Sequence, residues 1–135
     1  MNDKKQLAIR LLHDVWQDGR FDLLPLFVQP NVIRHHPRFP AHSPAELQQM
    51  IVAYRTAFPD MKYRFLHSAE EADHVALVYE VTGTHLGPFG QIPPTGIHDT
   101  LTCVDFFRFQ DDRISEIWTM FDELGLMMKM GVVKM

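Results

Sequence analysis

The chain has 135 residues, 46% of them hydrophobic, which suits one domain with a real core. Its 13 basic and 17 acidic residues give a formal net charge of −4, and no Lys/Arg block stands out, so nucleic acid and anionic membrane are not expected as partners. Cys103 is the single cysteine and no intrachain disulfide can form. The opening MNDKKQLAIRLLHDVWQDG has no long uncharged apolar run, so neither a signal peptide nor a membrane span is expected, and a cytoplasmic location is the default.

Asp3 and Gln6 have the spacing of a capping box. After them Ala8, Leu11, Leu12, Val15 and Trp16 recur at helical spacing, and Gly19 stops the helix. Phe21 to Phe27 reads as a short second helix. Pro30-Asn31 reads as a turn, and Val32 to His36 as a short strand ended by Pro37. Pro37 to Pro44 is a loop. Ser43-Pro44-Ala45-Glu46 is a strong helix start, with a capping serine, proline at the first helical position and a glutamate to complete the box. Leu47, Met50, Ile51, Tyr54 and Phe58 then line one face, and Phe58-Pro59-Asp60 ends the helix.

From Met61 the period becomes two. Met61 to Ala69 and His74 to His85 are strands joined at Glu71-Ala72-Asp73. Leu86 to Gly96 is a loop with three glycines and three prolines. Ile97 to Phe109 and Arg113 to Phe121 form a hairpin across Gln110-Asp111-Asp112. Asp122 to Met130 closes as a helix. This order predicts a single α+β domain over residues 1–135, with helices on one face of a bent antiparallel sheet.

Several motifs sharpen that reading: AFPD at Ala57–Asp60, GTHLG at Gly83–Gly87, IPPTG at Ile92–Gly96, DFFRF at Asp105–Phe109, and DELGL at Asp122–Leu126 followed by Gly131. Together with Gly19-Arg20 and His35-His36-Pro37 they resemble the SnoaL-like polyketide cyclases of the nuclear transport factor 2-like superfamily, from about Lys5 to Gly131. The resemblance implies a cone-shaped sheet with a pocket at its wide end. It also implies an intramolecular aldol ring closure without metal or organic cofactor, in which a carboxylate and a histidine on the neighbouring strand move protons. On this chain the histidine's place falls at Asp105 and the aspartate's place at Thr119. Threonine is no general base at neutral pH, so that chemistry does not transfer unchanged.

Asp105, between Val104 and Phe106-Phe107, is the strongest remaining candidate base, since burial raises a carboxylate pKa. Its plainer role is a hydrogen bond to a neighbouring strand or to Arg108. Asp122 matches the family's acidic residue before the last helix and also suits a simple N-cap. His85 either donates a proton to a ligand oxygen or fixes the loop that follows. His35 or His36 is expected at a pocket rim. With His42 and His67 they raise a metal question, but adjacent strand residues point to opposite faces and no zinc-type spacing occurs, so no metal is expected. Trp16, Tyr54, Phe58, Phe89, Phe107, Trp118 and Met120 are the expected apolar lining. Strand parity puts Glu116, Trp118, Met120 and Asp122 on one face and Ile117, Thr119 and Phe121 on the other. The resemblance wants Thr119 inward, a bulge would reconcile this with the Glu116 face, and either face of the strand is open to the pocket; Glu116 lines the pocket or pairs with an arginine.

Two functions follow. One is a cofactor-free cyclase, isomerase or dehydratase acting on a hydrophobic carbonyl compound, with Asp105 as base and His85 or Asp122 as helper. The other is a non-catalytic small-molecule binder. A homodimer is expected, because Thr100, Thr102, Val104 and Phe106 alternate opposite the Asp105 face. The Met-rich end, Met127, Met128, Met130 and Met135, is expected to pack a helix or an interface. The loop Leu86 to Gly96 is expected to gate the pocket.

Overall fold

Asp3 opens helix α1 (Lys4–Arg10), its side chain accepting a 2.9 Å bond from the Lys5 amide in the computed structural model, which describes residues 3–134. The return bond from Gln6 is not made among the described residues. The helix runs on with π-type turns from Leu11 to Gln17 and ends at Gly19, whose φ of 73° is the left-handed conformation that favours glycine. Leu7, Ala8, Leu11, Leu12, Val15 and Trp16 form its buried stripe. A single 3₁₀ turn (Phe21–Leu23) leads into α2 (Leu24–Phe27).

Strand β1 (Val28–His35) starts earlier than the sequence suggests. Pro30-Asn31 is an irregularity within it, between the paired residues Val28 and Ile33, and not a turn. Proline is tolerated because β1 is an edge strand, where a missing ladder donor costs little. Helix α3 (Pro44–Ala57) begins as expected, with the Ser43 hydroxyl accepting from the Glu46 amide at 3.1 Å. Glu46 reaches back one residue further than a standard box, to the His42 amide.

Four strands follow: β2 (Lys62–Glu71), β3 (His74–Thr84), β4 (His98–Gln110) and β5 (Arg113–Phe121), and then helix α4 (Glu123–Lys129). The five-stranded sheet is curved and unclosed, in the order β1-β5-β4-β3-β2. Consecutive strands β2 to β5 pair antiparallel, as hairpins must. The β1–β5 pair is parallel, so the sheet is mixed at one edge. These two strands are separated by a helix and three strands, and no hairpin constrains their direction. Asp111 and Asp112 both take positive φ (51° and 67°), the primed turn that matches the twist of a two-stranded ribbon.

Parity then sorts the side chains. Tyr79, Cys103, Asp105, Phe107, Ile117 and Thr119 are buried, whereas Val104, Phe106 and Met120 on the intervening positions are exposed. Near the start of β5 one extra residue, Ser115, sits between the pairs Phe109↔Ile114 and Arg108↔Glu116. This bulge keeps both Ile114 and Ile117 in the core, and downstream of it Thr119 faces inward with no further correction. The main core lies between the inner sheet face and α1–α3. A second cluster of Ala57, Phe89, Leu126, Met127 and Met130 closes one end. Met128 is exposed, and Met135 lies outside the described residues.

Candidate functional site

The inner face of the sheet holds a cavity with about 80 Å³ open to the centre of a water-sized sphere. One water needs roughly 10–15 Å³ on that measure, so the cavity has room for several waters. Trp16, Tyr54, Phe58, Tyr63, Leu101, Phe121 and Met130 supply most of its wall. The polar side chains reaching it are Arg34, Tyr79, His85, Asp99, Asp105 and Thr119.

Asp105 sits midway along β4 and is 3% exposed. Its Oδ1 accepts a 2.9 Å bond from the Tyr79 hydroxyl of β3, while Oδ2 has no partner among the described residues. Burial pushes its pKa up to about 6, against the pull of the Arg34 charge and the Tyr79 bond. Thr119 is its direct cross-strand partner on β5. The threonine hydroxyl also favours the carboxylate, but it falls short of hydrogen-bond geometry with any described atom. Burial keeps Tyr79 and Tyr63 well above the usual phenol pKa and pushes the Cys103 thiol up to about 12. All three are therefore neutral at physiological pH, and Cys103 is no ready nucleophile.

His85 also lines the cavity and is fully buried. Asp105 pairs with Leu77 of β3, and His85 lies just past the end of that strand, eight residues beyond Leu77. The Thr95 amide donates to His85 Nδ1 at 3.2 Å, which fixes the neutral ring as the Nε2–H tautomer. Nε2 is buried without a partner. His85 thus does what the plainer expectation held, anchoring its loop, while keeping one free donor.

The remaining expectations divide. Trp16, Tyr54, Phe58 and Thr119 line the cavity; Phe89 and Phe107 are buried in the core behind it. Glu116, Trp118 and Met120 are on the outer sheet face, where parity puts them. Glu116, Trp118 and Met120, expected along the pocket, are therefore not on the cavity wall; Glu116 pairs with Arg108 at 2.8 Å and His35 at 2.6 Å, and His35 stacks on Trp118 with ring centroids 4.9 Å apart. Asp122 is exposed, caps α4 through the Gly125 amide at 2.9 Å and is not on the cavity wall. His36 is buried under Phe39 and Phe121. Its Nδ1 accepts from the Arg38 and Phe39 amides, so its place is outside the cavity wall. Among the described residues, the group of three metal-ligand-type side chains that comes together is His13, Asp14 and Asp18 at the surface, and it contains none of the histidines the sequence singles out. No helix is long and apolar enough to cross a membrane.

Sequence reasoning missed Arg34, Tyr63, Tyr79 and Cys103. The signal was available: Tyr79 and Cys103 share the inward parity of Leu77 and Asp105, and Arg34 that of Val32. Arginine on an inward position runs against the usual burial preference.

The sequence profile of the SnoaL-like polyketide cyclases matches residues 6–130. The chain belongs to that family. Among solved structures it resembles one named as a SnoaL-like polyketide cyclase from Jannaschia sp. CCS1, with a TM-score of 0.89 and 22% identity over 97% of this chain and 93% of that one. IdmH from Streptomyces antibioticus, named as a polyketide cyclase, gives 0.81 and 23% over 97% of this chain and 100% of its own. AclR from Streptomyces galilaeus, named as a hydroxylase, gives 0.83 and 24% over 98% and 87%. At these identities the likeness concerns the fold, which is the SnoaL cone. Among curated proteins the sequence finds no significant match.

Proposed function

We propose that this SnoaL-like protein binds a small, ring-bearing carbonyl compound in its cavity and removes a proton beside the carbonyl, with Asp105 as the base. The reaction class is cyclisation, isomerisation or dehydration. The observation that carries the reading is Asp105 itself, a buried carboxylate on an apolar cavity wall with one oxygen held by Tyr79 and the other free. A pKa near 6 leaves it ionised at neutral pH, yet more basic than an ordinary aspartate. The Tyr79 bond fixes the carboxylate's orientation. The free His85 Nε2–H suits a second ligand oxygen at the opposite end. The exchange of residue types at Asp105 and Thr119 supports a second reading, a binder that retains the cavity without turnover.

Proton exchange separates the two. Aryl ketones and β-diketones are incubated with the protein in D₂O, and deuterium uptake at the α-carbon is followed by NMR. Uptake abolished in Asp105→Asn supports the base. Binding without Asp105-dependent uptake across the panel supports the binder.

The outer sheet face, with Val104, Phe106 and Met120 exposed, is proposed as a homodimer contact.

A further inference from the structure

Among the described residues Arg34 is the one arginine or lysine on the cavity wall, and it is 3% exposed. Among the described residues no carboxylate comes within salt-bridge distance of it. Its Nη1 donates to the Phe39 carbonyl at 2.7 Å and to Met50 Sδ at 2.9 Å, and the guanidinium carbon lies 5.6 Å from the Trp16 ring centroid. Those contacts occupy one terminal nitrogen. The Nε–H and the Nη2 protons have no partner among the described residues. This edge is the planar fork that matches a carboxylate with two parallel bonds. Two hydroxyls on the same wall make no bond of hydrogen-bond geometry among the described residues, Tyr54 Oη and Thr119 Oγ1, although Arg34 is close enough to Tyr54 to favour its ionised form. Burial pushes Tyr54 up to about 12, so it stays a neutral donor.

A buried guanidinium is costly unless something meets its charge, and the ionised Asp105 carboxylate on the same wall meets it only from beyond ion-pair distance. Holding the Phe39 carbonyl would need only one neutral donor. The topology also gives an anion a way in. Strand β1 pairs with β5 only as far as Trp118, so Thr119–Phe121 have no β1 partner among the described residues, and His36 packs on Phe121 there instead. A surface hollow opens at that end of β5, and Arg34, Thr119 and Phe121 line both the hollow and the inner cavity. The guanidinium therefore stands at the junction of an apolar chamber and solvent.

We infer that this junction is an anion subsite, and that the substrate is a ring-bearing carbonyl compound carrying a carboxylate, received by the Nε–Nη2 edge of Arg34 with Tyr54 and Thr119 as additional donors. This identifies the substrate class for the reaction assigned to Asp105 and rests on that reading. The acid group stays at the junction while the ring occupies the chamber.

The test compares 3-acetylbenzoate with its methyl ester, matched in ring and ketone but differing in charge. Titrations followed by NMR at neutral pH should show the wild-type protein binding the acid more tightly by about tenfold or more, a difference typical of a charged pair of hydrogen bonds. Arg34→Gln should bring the acid down to the ester's affinity and leave the ester unchanged. Arg34→Lys should recover only part of the preference, since it restores the charge without the fork. Equal or tighter binding of the ester by the wild-type protein overturns the inference even if the variants do not fold. An Arg34→Gln protein that folds and keeps the preference overturns it as well. Asp105-dependent deuterium uptake at the ester's acetyl group with no acid preference removes the anion subsite and leaves the base in place. An acid preference with uptake unchanged in Asp105→Asn removes the base and upholds the subsite. No binding of either compound overturns both.

Discussion

Asp105 of β4 and Thr119 of β5 face each other across one rung of the ladder, both buried and both turned into the same cavity. The family resemblance places a histidine and a catalytic aspartate at these two positions. Here the carboxylate is on the opposite strand of the rung, and a hydroxyl stands where the resemblance calls for the acid. The acid function stays within one residue pair of its expected place. Its orientation now depends on Tyr79, a β3 residue bonded to it at 2.9 Å.

Asp105→Asn keeps the shape and removes the base. Deuterium uptake by a bound ketone should fall by roughly a hundredfold or more, within the usual range for general-base removal, while ligand affinity changes little. Uptake at the wild-type rate would transfer the chemistry away from this residue.

The pH profile should follow the same group. The carboxylate is the active form, so uptake should be low below pH 6, rise through the Asp105 pKa of about 6 and level off above it. Burial is the main cause of the raised pKa, and Arg34 and Tyr79 oppose it. Tyr79→Phe removes one opposing bond and should shift the rise to higher pH. A profile that ignores this substitution would argue against Asp105 as the titrating group.

The same burial makes Asp105 a cost to stability. Its folded pKa of about 6 lies above the ordinary 3.8, so the folded state holds the proton more tightly than the unfolded chain. Stability therefore falls as pH rises from about 4 to about 6 and is flat above, with a cost of about 3 kcal/mol at neutral pH. Asp105→Asn should raise Tm at pH 7, and the gain should shrink toward pH 4. Thermal unfolding at the two pH values checks both the sign and the trend.

Gly87→Ala should destabilise the fold, because an added Cβ would lie 2.1 Å from the Thr56 carbonyl oxygen. The chain is pinned there by the Leu86 and Gly87 amides, both bonded to the Ala57 carbonyl. The clash is with backbone and not with the far end of a flexible side chain, so a loss of about 1–3 kcal/mol is expected in denaturant unfolding. The same contacts, with the paired Phe89–Ile92 bonds, tie the loop over residues 86–96 more firmly than its glycines and prolines suggest. Motion confined to its tip would suit a gate better than opening of the whole loop.

Phe106→Glu tests the proposed dimer. Phe106 is 41% exposed on the outer face between the His74 and Trp118 rings. Light scattering at micromolar concentration should give a dimer for the wild-type protein and a monomer for the variant. A wild-type monomer would end the proposal.

Local sequence determined a good deal. Ser43-Pro44 and Asp122 announce their helix starts because capping is a matter of a few adjacent residues. Period-two alternation places Asp105 inward and Phe106 outward because a strand's geometry allows nothing else. Alternation alone leaves open which face of β5 turns inward, and the bulge at Ser115 emerges only from its pairing with β4. What it left undecided involves partners distant in the chain. The parallel seating of β1 on β5 brings Arg34 beside a cavity walled by residues from 16 to 130, and no local pattern encodes that meeting. His85 and Asp105 share an inward parity, yet the β3–β4 register sets them eight residues apart, because register is fixed by the whole ladder. The free oxygen of Asp105 and the open edge of Arg34 exist only where three strands and a helix leave space between them, and only the assembled fold defines that space.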